Sequence, residues 1–347
     1  MENNKIRIGV ICPSEVAFRR FLPSLMKVDG IEYVGVAVAT PEEWTNGGEI
    51  DDKVEQVISK EHEKAEKFRS EFGGKIFEGY QNMIDSEEVD AVYLPLPPSL
   101  HKKWAEKALQ SGKHAYVEKP FTTSLEDTEV LLNLAKTKGL TVHENYMFVF
   151  HKQMEEVRHI VESGELGKVR QYSVSFGFPL RPAGDFRYVK ELGGGALLDA
   201  GGYCIKFASW VLGPTARLVY AHLKYEPEYD VDIFGSGVMR NDDGVSVQFS
   251  FGMDCDYKCS LEAWGSKGTL TTGRILTAPD GLEPDMTIKH NQDYIASKLP
   301  GDTAFQSSIR RFIDCVRNEE VREANYKEIE RQSAYLSDFK ILSGNGK

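Results

Sequence analysis

The stretch Ile6–Arg20 reads IRIGVICPSEVAFRR. Its first six residues, Ile6–Ile11, form an apolar run of strand length. Val16–Val28 then carries apolar residues at helical spacing. A short polar loop joins the two. Strand, loop and helix in that order open a nucleotide-binding unit, because the helix N-terminus can face a phosphate beyond the end of the strand. Yet the loop lacks the glycines that let a backbone close on a pyrophosphate. The function of the chain turns on whether that loop still binds a dinucleotide.

The alternation continues over the first 145 residues. Tyr33–Ala39 reads as a second strand. Asp51–Phe72 reads as a long charged helix that Gly73 and Gly74 stop, and Lys75–Phe77 as a short strand. Asp90–Pro95, His114–Val117 and Leu140–Glu144 are strands, and the helices Ser99–Ser111 and Ser124–Lys138 lie between them. Thr40–Ile50 (TPEEWTNGGEI) predicts an exposed loop. Alternating strands and helices imply a doubly wound parallel sheet, a Rossmann domain over 1–146, with its ligand at the carboxyl ends of the strands.

After about residue 165 the pattern becomes β-rich. Val169–Phe178, Ala216–Tyr225, Val231–Met239, Val245–Phe251, Tyr257–Trp264 and Thr269–Arg274 read as strands, several with alternating apolar and polar residues. Two helices follow, about Ala304–Asn318 and Asn325–Leu342. Residues 147–347 therefore predict a substrate-binding domain with helices and an open antiparallel β-sheet. The bare face of such a sheet needs helices or a partner subunit to cover it, which predicts a homodimer or homotetramer.

Composition narrows the function. The chain has 347 residues, and a net charge of −11 argues against a general nucleic-acid binder. The segment Pro41–Phe72 holds ten acidic residues against five basic ones, the pattern of a solvated helical face. No apolar run reaches the roughly 18 residues of a membrane span. The five cysteines are scattered and odd in number, as in a cytoplasmic protein with reduced thiols. No signal-peptide pattern precedes the first strand, which also predicts a cytoplasmic location. No metal is expected, since Cys255 and Cys259 lack the partners of a zinc site. On an alternating strand they would share one face.

Two motifs can carry chemistry. Glu118-Lys119-Pro120 directly follows a predicted parallel strand and so lies on the ligand rim. A lysine there can bond a substrate oxygen and relay a proton. The second is ELGGGALLDAGGYC, Glu191–Cys204. Its glycines permit close backbone approach, and Asp199 and Tyr203 share one face of a helix. An acid and a phenol so placed could grip a polyol. Each motif alone also has a bland reading, a surface lysine in a turn and a glycine loop capping a helix.

Together these motifs resemble the glucose-fructose oxidoreductase/inositol dehydrogenase/MocA (Gfo/Idh/MocA) family. DAVYLPLPPSLH (Asp90–His101) and SGELGKVRQYSVSFGFP from Ser163 extend the resemblance to nearly the whole chain. VAFRRFLPSL (Val16–Leu25), ENYMFVFH (Glu144–His151) and DFRYVKELGGGALLDAGGY (Asp185–Tyr203) are most similar to its sugar C-3 ketoreductases, which act on nucleotide-linked keto-sugars. The resemblance implies an NAD(P)-dependent oxidoreductase passing hydride between nicotinamide and a sugar or nucleotide-sugar. Lys119 and Tyr203 would be catalytic, with Asp199 orienting the sugar or tuning the lysine. Tyrosine in a place where the family often has histidine favours carbonyl reduction, because a phenol is a usable acid.

The resemblance also implies where the cofactor lies. In the first loop Cys12, Ser14 and Ala17 hold the places of the family's small residues, and Pro13, Glu15 and Val16 complete the contact. Pro13 removes one N–H. Glu15 suits the helix dipole but competes with a pyrophosphate. Further contacts are implied for Thr40, Leu96, Pro97, His101, Glu118, Lys119 and Asn145. The end of the second strand carries neither the acid that favours NAD nor the arginine that favours NADP; the ketoreductase likeness tips the expectation to NADP. Two rival readings remain at this point. One is a glycosidase that uses tightly held NAD. The other is a sensor that kept the fold and lost the cofactor.

Overall fold

The structure, a computed structural model, describes residues 5–344. The chain forms two compact units. One takes the chain up to Thr122 with Glu126–Asn145 and Phe305–Ile329; the other takes Thr123–Leu125, Tyr146–Ala304 and the chain from Glu330.

The first unit is built on β1 (Ile6–Ile11), β2 (Ile31–Val38), β3 (Lys75–Glu78), β4 (Ala91–Leu94), β5 (His114–Val117) and β6 (Val142–Glu144). The strand order is β3-β2-β1-β4-β5-β6, and all pairs are parallel. This is the doubly wound order, with its reversal between β1 and β4. All four residues of β4 are buried, which is why that strand reads as an unbroken apolar run.

The helices of this region are α1 (Leu22–Leu25), which continues a π-helical turn over Ala17–Phe21, then α2 (Pro41–Thr45), α3 (Asp52–Phe72), α4 (Tyr80–Asp85), α5 (Pro98–Gln110) and α6 (Leu125–Lys138). Asp51 caps α3 by accepting from Lys53 N and Val54 N at 3.1 and 3.0 Å. The helix α2 corrects the expected loop over Thr40–Ile50. Thr40 and Glu43 form a capping box, with proline in the first turn. That signal, T-x-x-E behind a proline, was present in the sequence but outweighed by the polar composition around it.

The second unit holds α7 (Lys152–Glu162), α8 (Gly202–Leu212) and an eight-stranded sheet. Its strands are β7 (Val169–Gly177), β8 (Arg217–Tyr225), β9 (Asp232–Arg240), β10 (Ser246–Gly252), β11 (Lys258–Gly265), β12 (Thr269–Gly273), β13 (Asp285–His290) and β14 (Asp293–Lys298). Their order is β14-β13-β12-β11-β7-β10-β9-β8. The sheet is mixed, not antiparallel throughout, because β10 runs parallel to β7. The meander β8-β9-β10 returns to the central strand in the same direction as it. On β7, Tyr172, Val174 and Phe176 are buried with Phe207 of α8 in one apolar core. The alternate residues, among them Ser173 and Ser175, are only partly covered. Cys255 precedes β11, whereas Cys259 lies within it and is buried, so the two do not share a strand face.

The last helices are α9 (Ala304–Arg317) and α10 (Glu319–Leu342). A single cut after residue 146 assigns both to the second domain, but 305–329 belongs to the first unit. The physical reason is packing: Tyr326 and Ile329 complete the apolar core around β4 and β5. Among the described residues no helix is long and apolar enough to cross a membrane.

Candidate active site

The expected cofactor residues of the first unit follow the carboxyl ends of five strands. Cys12 follows β1, Thr40 lies just past β2, Leu96 and Pro97 follow β4, Glu118 and Lys119 follow β5, and Asn145 follows β6. One rim thus gathers positions spread over more than a hundred residues.

In the first loop Cys12 has φ 83°, a left-handed backbone that glycine adopts far more easily. Its side chain turns to α3, with Sγ 4.0 Å from Glu61 Oε2, and Glu61 is ion-paired to Lys64. Burial and the Glu61 carboxylate push the thiol up to about 12, so it stays protonated. Ser14 Oγ accepts from Ala17 N at 3.2 Å and caps the helix start, which leaves its O–H as a donor. Glu15 is exposed, and its carboxylate lies 3.4 Å from Arg19 one turn along. The first-turn N–H groups of Glu15 and Val16 are those that helix geometry leaves without an intrahelical acceptor. A left-handed residue, a helix start and two such donors at the end of β1 fit a dinucleotide's phosphates.

Past β2, Thr40 is occupied by the capping box. Glu43 Oε2 accepts from Thr40 N at 3.0 Å and Tyr80 N at 2.8 Å, and Oε1 accepts from Gln81 N at 2.9 Å. An acid therefore does stand near the place of the ribose reader, but its oxygens cap two helices.

Glu118 is held by donors from the neighbouring strands. Tyr93 OH and Asn145 Nδ2 each donate to its Oε1 at 2.7 Å. Burial pushes the carboxyl above its ordinary range despite them. Asn145 Oδ1 accepts from Tyr116 OH at 2.8 Å and Ser308 Oγ at 2.9 Å, so the buried amide is largely engaged within the protein. Lys119 is partly exposed, and the Lys119–Pro120 bond is cis. His101 is fully buried behind this rim, with both ring nitrogens against backbone carbonyls.

In the second unit Asp199 and Tyr203 lie on one continuous helix, a π-helical turn over Leu197–Gly201 followed by α8. The glycines before and within it serve close packing. Gly195 has φ 115°, and a Cβ there would strike the Asp232 carboxylate; one at Gly202 would strike the Tyr146 hydroxyl. Asp232 Oδ2 accepts from Leu197 N at 2.6 Å and so anchors the helix start. Tyr203 is fixed among aromatic rings, with centroids 5.2 Å from Tyr146, 5.7 Å from Phe148 and 5.2 Å from Phe176.

Three residues here escaped the sequence reading. Arg187 Nε donates to Asp199 Oδ2 at 2.7 Å, and its Nη1 reaches Asp185 at 3.1 Å. Burial opposes the guanidinium charge, but the two carboxylates offset it and raise the Arg187 pKa. Nothing in the spacing of Asp185, Arg187 and Asp199 announces this triad. Lys206 could have been found. It stands seven residues from Asp199 on the same helix, is partly exposed, and lies 5.9 Å from the Tyr146 ring.

A parallel sheet with this strand order and rim defines a dinucleotide-binding protein. Residues 30–146 match the profile described as "Oxidoreductase family, NAD-binding Rossmann fold", and 154–271 match the "GFO/IDH/MocA C-terminal domain". The chain belongs to the GFO/IDH/MocA oxidoreductase family. It is 36% identical over 320 residues to a dTDP-3,4-didehydro-2,6-dideoxy-α-D-glucose 3-reductase of Actinomadura kijaniata, covering 91% of this chain and 90% of that protein. A protein of the same description from Streptomyces violaceoruber is 37% identical, covering 90% and 85%. The crystal structure of KijD10, a 3-ketoreductase from Actinomadura kijaniata in complex with NADP and TDP-benzene, superposes with a TM-score of 0.87 at 34% identity, covering 97% of this chain and 98% of that one.

The Cys12 side chain points to α3, so Cys12→Gly should change the NADPH Kd by less than about threefold. It should also raise stability by up to about 1 kcal/mol through relief of the left-handed strain. Fluorescence titration and urea melts check both; a tenfold tightening would show that the thiol intrudes on the cofactor.

Asp232 sets a pH dependence. Burial pushes its carboxyl up to about 6, against about 3.9 in an unfolded chain. Between those values the unfolded state has lost the proton and the folded state keeps it. Stability therefore falls as pH rises from about 4 to 6, by on the order of 3 kcal/mol. Asp232→Asn keeps an acceptor for Leu197 N and abolishes that slope. In thermal melts from pH 4 to 7 the variant should gain on the wild type as pH rises, and the opposite trend would refute the assignment.

Proposed function

We propose that the protein is an NADPH-dependent ketoreductase that reduces the 3-keto group of a nucleotide-linked deoxysugar. The observation that carries this reading is identity of 34–37% with 3-ketoreductases across most of both chains. It is joined by the presence of Lys119, Asp199 and Tyr203, the residues to which the family resemblance assigns the chemistry. The NADP named with KijD10 supports NADPH over NADH.

The nicotinamide, when bound, supplies the hydride that carbonyl reduction requires. The chain's own residues do the rest. Glu15 and Val16 N–H groups would hold phosphate oxygens at the first helix, and the rim residues Leu96, Pro97 and Glu118 would line the cofactor. Reduction leaves negative charge on the sugar oxygen, which needs a proton and stabilisation. The Tyr203 hydroxyl donates that proton, and the Lys119 ammonium stabilises the oxygen. Asp199, paired with Arg187, accepts from a neighbouring sugar hydroxyl and fixes the ring.

Lys119→Ala should lower kcat roughly 100-fold or more, and Tyr203→Phe by a similar factor, on general acid–base magnitudes. Stopped-flow oxidation of NADPH with dTDP-3,4-didehydro-2,6-dideoxy-α-D-glucose measures both. Near-normal turnover in Lys119→Ala would sink the role of the lysine. Failure of the wild type to bind either NADPH or NADH would return the chain to the sensor reading.

We also propose that a second copy covers the open face of the mixed sheet. That face carries the small hydroxyl residues Ser173, Ser175, Thr271 and Thr287 beside exposed aromatics, with Trp264 57% and Tyr220 51% accessible. A flat face of small side chains with aromatic anchors suits an isologous contact. Trp264→Glu should shift the sedimentation coefficient from a dimer or tetramer to a monomer. A wild type that sediments as a monomer at micromolar concentration would refute the contact.

A further inference from the structure

His101 lies in the first turn of α5 with no solvent exposure. Its Nε2 is 2.8 Å from the carbonyl oxygen of Leu96, and its Nδ1 is 2.8 Å from that of Pro120. Those carbonyls belong to different segments. Leu96 is two residues past the end of β4, and Pro120 is three past the end of β5. The imidazole thus bridges two neighbouring loops of the rim. One of them is the loop that carries Lys119, and the contact falls on the residue next to it.

The same loop is held on its other side. Phe121 N donates to Glu144 Oε1 at 2.9 Å, one residue beyond the His101 contact. Lys119 is therefore followed at once by a carbonyl and an amide that are each anchored to another part of the sheet. Glu118, before it, is anchored through Tyr93 and Asn145. The lysine backbone is pinned on both sides, while its side chain is partly exposed. Of these anchors, the histidine alone ties the Lys119 loop to the β4 loop.

The bridge also limits the ring. Two carbonyl acceptors ask for two N–H donors, which only the imidazolium has. Burial opposes that charge, and the nearby Lys119 adds to the opposition; together they push His101 down to about 4. Both ring nitrogens are engaged with backbone carbonyls, which fixes the ring between the two loops. It has no nitrogen left for a ligand.

We propose that His101 is a positioning residue that acts through Lys119, setting where the lysine backbone sits relative to the β4 loop. This rests on Lys119 handling charge in the reaction proposed above. A displacement of about 1 Å in a group that meets the reacting atoms can cost roughly 100-fold in rate. Loss of the bridge is accordingly expected to appear in kcat more than in cofactor binding.

A double-mutant cycle tests it, with His101→Leu, Lys119→Ala and the pair, assayed with NADPH and dTDP-3,4-didehydro-2,6-dideoxy-α-D-glucose. His101→Leu should lower kcat about 10-fold or more, and leave KM and the NADPH Kd within about threefold. In the Lys119→Ala background the same change should alter kcat by less than about twofold, because the group it positions is gone. Hydrogen exchange supplies a readout free of turnover. Amides from Glu118 to Thr122 should exchange faster in His101→Leu, with β1 and β2 unchanged.

His101→Gln keeps an N–H donor and should recover part of kcat. It takes the place of the leucine variant throughout the cycle if that variant does not fold. Equal losses in both backgrounds would mean a purely structural histidine and overturn the proposal, as would an unchanged kcat in His101→Leu. A Lys119→Ala enzyme with normal turnover is a separate result, since it overturns the role of the lysine.

Discussion

A carboxylate set at the end of a parallel strand has to be surrounded by donors, because burying an unpaired charge is among the costliest things a fold can do. Glu118 meets that demand with Tyr93 from β4 and Asn145 from the end of β6. The demand then propagates. Asn145 can turn its amide nitrogen to Glu118 only if its oxygen is satisfied elsewhere, and Tyr116 and Ser308 satisfy it. Ser308 belongs to α9, nearly two hundred residues further on, and also meets His143 Nε2 at 2.9 Å. One carboxylate thus ties together the ends of three strands, β4, β5 and β6, and calls for a helix from the far end of the chain.

The rim was legible in the sequence because it depends on local signals. Apolar runs marked the strands, and the residues after each run are the rim. The glycine-poor loop was legible only in part. That Cys12 stands in a glycine's place could be read, but not that its backbone is left-handed or that Glu61 on α3 receives its side chain. Helix α2 was within reach through its capping box. What stayed hidden was non-local: the Arg187 triad, the parallel pairing of β7 with β10, and the return of 305–329 to the first unit. Each depends on residues brought together by the whole topology rather than by spacing.

The glycine-rich motif of the second unit changes meaning once its neighbours are known. Its glycines looked like room for a ligand. Gly195 and Gly202 are instead the points where the helix start meets the Asp232 carboxylate and the Tyr146 hydroxyl. The consequence for Tyr203 is rigidity, since the helix beneath it and the three rings around it leave the phenol few alternatives. A donor held this way loses little conformational freedom when substrate arrives.

Completion of the first unit by residues 305–329 has a consequence for biosynthesis. A chain emerging from the ribosome exposes β1 to β6 early, yet Ser308, Tyr326 and Ile329 follow only after residues 146–304 of the second unit have been made. Until then the parallel sheet lacks part of its apolar cover and Asn145 lacks one of its donors. The N-terminal half is therefore incomplete until that segment arrives, and the apolar surface that Tyr326 and Ile329 cover is left open in the interval. Synthesis of residues 305–329, rather than of the Rossmann sequence alone, supplies the last of the cofactor half's core.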